Sequence, residues 1–286
     1  MNTDAIRILV PLDGSKEAET ILPAMMPLVA ERPAAVTLLQ VIDRVDEIDA
    51  ARTYLARLQA ELQKKEIEAR PRLEFGRPVE EILHLAAPRK YDAVAMTTHG
   101  RSGFRRALLG SVAEAVLRQA KIPILLNRPD TKVGDWKRIV VALDGSPMSE
   151  SILDEIVPLA RAWTSTVHVL RVTLSILPTS DMFFEAMPRL PEDPQPYLDE
   201  ICRRLAVQGV MAVPEMREGF AGQEIVKAAR EVGAGLIAMM TEGRTGFPRF
   251  LSGSVAEEVL RSAPCPVLLR RWAPVESEAS HAPAAP

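Results

Sequence analysis

Cysteine is nearly absent from this 286-residue chain, which holds only Cys202 and Cys265, far apart in sequence. No disulfide framework and no zinc-type cluster of thiols can be built from that pair, so two buried, inert thiols in a reducing cytoplasm are expected. The four histidines are equally scattered: His84 falls on a helical stretch, His168 on a strand, His99 in a loop and His281 in the tail. They give no metal-ligand set. An excess of one charge is missing too. With 26% charged residues and a net charge of −3, the chain has no surplus of cations to displace counterions. Binding to nucleic acid or to an anionic membrane is therefore not expected. Nor is there a long hydrophobic run: the best stretch, residues 21–30, is interrupted by Pro23 and Pro27 and is too short to cross a bilayer. The N-terminal residues, with Asp4 and Asp13 around a short apolar run, do not read as a signal peptide. The run G-x-x-x-x-G-K-[ST] occurs nowhere, and with it goes the lysine that supports rapid phosphoryl transfer. The Ser-Gly-Gly loop and paired-histidine signatures of adenylating and tRNA-charging enzymes are missing as well.

What the chain does contain is a duplication. RILVPLDGS at 7–15 recurs as RIVVALDGS at 138–146, and residues 93–127 recur as 236–270 with 21 of 35 aligned pairs identical. A period of about 131 to 143 residues is the size of a domain and not of a solenoid repeat. The expected organisation is one domain over residues 1–130, a polar Pro/Gly connection at 128–136, a second domain over 136–272, and a disordered Pro/Ala-rich tail at 273–286. Within the first repeat, apolar runs at 8–12, 36–41, 72–75, 93–97 and 124–127 alternate with helical patterns at 17–31, 47–68, 79–87 and 111–120. Strands apolar on both faces and separated by helices predict a parallel sheet covered on both sides. The fold class is therefore α/β, with one doubly wound five-stranded sheet per repeat. The second repeat follows the same order but adds a proline-rich insertion at 174–196 carrying Met182, Phe183, Phe184, Met187 and Leu190. That insertion reads equally as a lid, a docking surface or a helix packed on its own domain.

Ligands of such sheets bind at the carboxyl ends of the strands, where strand order reverses. Two segments converge there in each repeat: the end of the first strand (Pro11, Leu12, Asp13, Ser15; Ala142, Leu143, Asp144, Ser146) and, after the end of the fourth strand with Met96, the loop at 98–111 in the first repeat. That loop runs into a helix at Gly110, Ser111 and Val112, and at Gly253, Ser254 and Val255 in the second repeat. Free N–H groups and the dipole at a helix start favour an anion. The competing reading is a plain helix cap, with Ser111 and Glu114 forming a capping box. Asp13, before Gly-Ser, is likewise also a common turn residue.

The spacing resembles the nucleotide-binding signature of the universal stress protein family: Gly, two residues, Gly, nine residues, Gly, then Ser or Thr. Here Gly100, Gly110 and Ser111 match, as do Gly243, Gly253 and Ser254, and Gly103 and Gly246 lie within the intervals. The resemblance covers nearly the whole chain, twice. It implies the strand order 3-2-1-4-5, ATP with Mg or Mn carried on its phosphates, ribose contacts at Asp13 and Asp144, and adenine contacts at Val41 and Val172. It also implies pairing through the fifth strands, here within one chain as a pseudo-dimer, with further homodimer formation open. The sequence departs from the signature at its first glycine, where Thr97 and Met240 place side chains. Arg101 borders the loop, with Arg105, Arg106, Arg244 and Arg249, and reads either as a phosphate contact or as a solvated arginine. Three functions remain open: an ATP-binding regulator that is not an enzyme, a nucleotide-free interaction module with an unknown protein partner, and a slow ATPase.

Overall fold

The computed structural model describes residues 5–30, 33–88, 90–99, 109–131, 133–173, 193–241 and 254–271. The first repeat forms β1 (Ile6–Leu12), α1 (Lys16–Glu19), α2 (Ile21–Val29), β2 (Ala34–Ile42), α3 (Ile48–Gln63), β3 (Glu68–Phe75), α4 (Pro78–Leu85), β4 (Ala93–Thr97), α5 (Ser111–Gln119) and β5 (Ile124–Asn127). The second forms β6 (Arg138–Ala142), α6 (Pro147–Glu150), α7 (Leu153–Trp163), β7 (Thr166–Thr173), α8 (Gln195–Val207), β8 (Met211–Glu218), α9 (Ala221–Glu231), β9 (Leu236–Met240), α10 (Ser254–Ser262) and β10 (Val267–Arg270).

Each half is a parallel sheet of order 3-2-1-4-5, and the two join into one ten-stranded sheet, β3-β2-β1-β4-β5-β10-β9-β6-β7-β8. Only the central pair is antiparallel, with Ile124 opposite Leu269, Leu125 opposite Leu268 and Leu126 opposite Val267. Successive side chains of a strand point to opposite faces. Accordingly Ile8, Val10 and Leu12 enter one core with α2, α3, α7 and α8, while Leu9 enters a second core with α4, α5, α9 and α10. The join is reciprocal, as a two-fold contact must be. Arg128 donates to the Arg261 carbonyl, and Arg271, its counterpart, donates to the Arg118 carbonyl. Trp163 Nε1 also crosses the join, donating to the Pro27 carbonyl at 2.8 Å.

Several boundaries differ from the sequence reading. The first helix breaks at Thr20 into α1 and α2. Pro23 lacks the N–H that would bond to residue 19, and its ring collides with that carbonyl in a continuous helix. The long helix stops at Gln63, and β3 starts at Glu68 instead of 72. β3 is an edge strand, EARPRLEF, whose charged residues and Pro71 conceal a full eight-residue pairing with β2. Edge strands carry such charges and prolines to discourage pairing with strangers. The α4 and α5 helices each end earlier than expected, at Leu85 and Gln119, a difference within ordinary fraying. The insertion at 174–192 and the tail from 272 lie outside the described residues.

Trp136, read above as part of the connection, is fully buried in the second repeat's core. The chain just before it presses on the start of β9: a Cβ on Gly235 would lie 1.6 Å from the Asp135 carbonyl oxygen. Gly235→Ala must therefore push backbone apart, and a loss of at least about 2 kcal/mol is expected. Urea unfolding monitored by tryptophan fluorescence reads it; an unchanged midpoint would mean that the close approach is not a constraint.

Candidate functional site

The strand ends of the two halves are built alike. After β1 the chain turns through Asp13, Gly14 and Ser15, with Gly14 at φ +84°, in the left-handed region that glycine enters without strain. Asp13 Oδ1 accepts from the Ser15 N–H at 3.0 Å and from its hydroxyl at 2.6 Å, and Ser15 Oγ then accepts from the Ala18 N–H at 3.1 Å to cap α1. After β6, Asp144 Oδ1 accepts from Ser146 N–H at 2.9 Å and Oγ at 2.6 Å, while Ser146 caps α6 through the Ser149 N–H at 3.1 Å. Gly145 stands at φ +82°. The turn reading of this aspartate is thus correct as far as it goes: one carboxylate oxygen organises the turn. The turn sits beside β4, at the point where strand order reverses.

The capping-box reading of Ser111 does not hold. Gly110 is the N-cap of α5, no side chain caps the helix, and Ser111 is an exposed first helical residue. A first-turn hydroxyl lies inside the helix start and cannot reach back over the N–H groups that a cap would cover. The Gly110 N–H donates to the Thr98 carbonyl at 2.7 Å, which ties the helix start to the end of β4. Its own geometry does not demand glycine: φ is −64° and ψ 149°, and a Cβ would meet the Thr98 carbonyl at 3.4 Å, an ordinary contact. Val112 is partly buried behind it, and Ser254 and Val255 begin α10 in the same way.

Thr97 and Met240 are the last residues of β4 and β9, and both are buried. Thr97 is buried and its Oγ1 donates to the His99 carbonyl at 2.7 Å. Met240 is buried in the core shared with Val141, Leu143 and Ile156, and its sulfur accepts from Ser151 Oγ at 3.4 Å. Met96 and Met239, one residue earlier, point to the opposite core. Pro11 and Ala142 are half-buried, Leu12 and Leu143 buried, and Val41 and Val172 lie partly buried near the ends of β2 and β7 against the second core. Gly100, Arg101, Gly103, Gly243, Gly246 and Gly253 fall outside the described residues, as do Arg105, Arg106, Arg244 and Arg249. His99 is half-exposed, with Nδ1 3.1 Å from Thr98 Oγ1. Burial pushes the Cys265 thiol up to about 12 and raises Cys202 as well, so neither offers a thiolate at neutral pH.

With this geometry in view, the profile of the universal stress protein family matches residues 6–128 and again 135–271. The chain belongs to the universal stress protein family. It is 34% identical over 138 residues to a universal stress protein of Methanocaldococcus jannaschii, covering 47% of this chain and 81% of that one. A universal stress protein of Mycobacterium tuberculosis is 25% identical over 217 residues, 72% of this chain and 70% of its own. Among solved structures, a universal stress protein from Archaeoglobus fulgidus superposes with a TM-score of 0.75 at 21% identity, over 93% of this chain and 98% of that one. At that identity the likeness speaks for the tandem fold alone.

Sequence reasoning passed over Arg171 and Tyr197. The Arg171 guanidinium lies over the Gly145 turn, where a Cβ on the glycine would be 3.0 Å from Cζ, and 5.4 Å from the centre of the Tyr197 ring. Burial, with Glu150 nearby, pushes the Tyr197 hydroxyl well above the usual tyrosine range and keeps it neutral. The signal was available: Arg171 precedes Val172 as Gln40 precedes Val41.

Because Met240 fills core and not the site, Met240→Ala is expected to destabilise the fold by about 2–5 kcal/mol, as large-to-small core changes do. A denaturation midpoint equal to that of the wild type would place its side chain outside the core.

Proposed function

We propose that this universal stress protein binds ATP at the two strand-end sites and works by presenting a nucleotide-dependent surface to a partner, without turning the nucleotide over. The observation that carries the reading is Gly110. Neither its conformation nor its neighbours among the described residues require glycine, and no described side chain caps the start of α5. A position without a side chain at a helix N-terminus, where the first N–H groups have no intrahelical partner, suits close approach of a phosphate. Asp13 and Asp144 would accept from ribose hydroxyls, and Val41 and Val172 would flank the base. Met240 lies in the core and Thr97 is buried with its hydroxyl on the His99 carbonyl, so neither side chain need crowd the ligand. Among the described residues no cluster of three or more metal-ligating side chains exists, so Mg or Mn would arrive with the phosphates.

The same reading sets this protein in the cytoplasm, where Cys202 and Cys265, both free, stay reduced. No helix among the described residues is long and apolar enough to cross a membrane. Since β5 and β10 already pair within the chain, a homodimer would have to use another surface.

The decisive test is the nucleotide content of the protein as purified, released by denaturation and resolved by anion exchange. ATP near one or two per chain is expected, and Asp13→Ala and Asp144→Ala should each lower occupancy of their own half. Gly110→Ala should cost at most about 1 kcal/mol of stability, the difference between glycine and alanine at a helix N-cap, while lowering occupancy of the first half. An empty protein with no thermal shift in Mg-ATP would instead support a nucleotide-free interaction module. Sustained phosphate release that Gly110→Val abolishes would overturn the non-enzymatic reading.

A further inference from the structure

The two sites share their turn but not the residue that overlooks it. At the end of β2 the first half has Gln40, and at the same place in β7 the second half has Arg171. Arg171 is half-buried, laid on the Tyr197 ring at 5.4 Å, with its Cζ and Nη1 3.0 Å from where a Gly145 Cβ would be. Arg57, Arg204, Arg217 and Arg270 each hold a carboxylate partner within 4 Å, whereas no carboxylate among the described residues ion-pairs with Arg171. A planar cation held by stacking, with its N–H fork unengaged by any carboxylate of the described residues, is suited to a charge that comes with a ligand. Gln40 is neutral and only 7% exposed, and its Oε1 has no hydrogen-bond partner among the described residues. A buried acceptor of that kind calls for a donor such as a hydroxyl, and the amide carries no charge to set against a dianion.

We propose that the second half selects an adenosine nucleotide bearing a phosphate on its ribose 2′ or 3′ oxygen, held by Arg171, while the first half selects one with free ribose hydroxyls. This rests on the nucleotide reading given above. The physical logic is that of dinucleotide-binding α/β sheets, where one device or the other is used. A carboxylate at the strand ends accepts from ribose hydroxyls, and a nearby arginine accommodates a ribose phosphate. Here the carboxylate is Asp144, next to Gly145, and the arginine closes over that same turn. In the first half the equivalent carboxylate, Asp13, is accompanied by an uncharged amide.

Titration calorimetry on the full chain tests it, with AMP, adenosine 2′,5′-bisphosphate, adenosine 3′,5′-bisphosphate and ATP as probes. One of the bisphosphates is expected to bind one site per chain about tenfold more tightly than AMP, the gain of a charge-assisted fork. In Arg171→Gln that ratio should fall to about one, and in Arg171→Lys, which keeps charge but loses the fork, to an intermediate value. Bisphosphates no tighter than AMP, in a wild-type protein that binds ATP, would overturn this proposal and leave the nucleotide reading standing. A ratio unchanged in Arg171→Gln would also overturn it, because the phosphate would then be held elsewhere. If neither ATP nor any of the other probes binds the wild-type protein, both readings fail together.

Discussion

The pairing of β5 with β10 is the contact on which the rest of the molecule depends. Each half ends in a four-residue strand, ILLN or VLLR, that is buried almost throughout. Left alone, each would be an apolar edge with a row of unpaired backbone groups, a form that soluble proteins avoid. Joining the two removes both edges at once and leaves β3 and β8 as the outer strands, each interrupted by a proline. Because the pair is antiparallel, the carboxyl ends of the two sets of strands point in opposite directions. The two sites therefore cannot face each other across the join, and each must be completed by its own half.

Duplication followed by divergence is visible in paired changes around an unchanged turn. Glu19 pairs with Arg57 at 2.6 Å in the first half; its counterpart Glu150 pairs with Arg204 at 2.7 Å in the second. The arginine has moved one helical turn, from the α3 position to the next turn of α8, and the ion pair persists. Behind β4, Thr97 packs in a region where Asn127 Nδ2 reaches the Thr20 carbonyl at 3.3 Å. Behind β9, Met240 sits against Ser151, and Arg270 bonds to Glu155 at 2.8 Å. Threonine with asparagine has become methionine with a paired arginine, a change of volume and charge on the core side of the strand. The Asp-Gly-Ser turn has not changed its hydrogen bonds by more than a tenth of an ångström.

The parts of the fold that the sequence declared are those where one physical demand dominates. β1, β4 and β9 must be apolar on both faces, so their runs are unmistakable, and the repeat placed them twice. β3 and β8 answer two demands, pairing on one side and repelling strangers on the other, and their charges hid half of β3. The helix start at Ser111 was legible, but the competing capping-box reading was not met: serine three residues before glutamate fits such a box, yet the backbone sets the cap one residue earlier, at Gly110. The departures at Thr97 and Met240 were legible as substitutions, but where their side chains lie was not. Strand parity decides which face a side chain takes, and parity requires the strand's register, which the sequence alone does not supply. Arg171 was hidden for a related reason: it reads as one more charged residue until β7 and α8 bring it over Gly145.

The site's chemistry follows from what is held still. The aspartate is fixed by its own turn, the helix start is tied to the Thr98 carbonyl, and the strand ends are pinned by the sheet, so the groups that would meet a ligand are already in place before it arrives. Preorganisation of this kind lowers the cost of binding. It does not by itself lower a reaction barrier, which needs groups whose contacts strengthen in the transition state. In both halves the turn that holds the carboxylate is fixed by the same short hydrogen bonds, so any ligand that meets it meets a group already ordered by the fold.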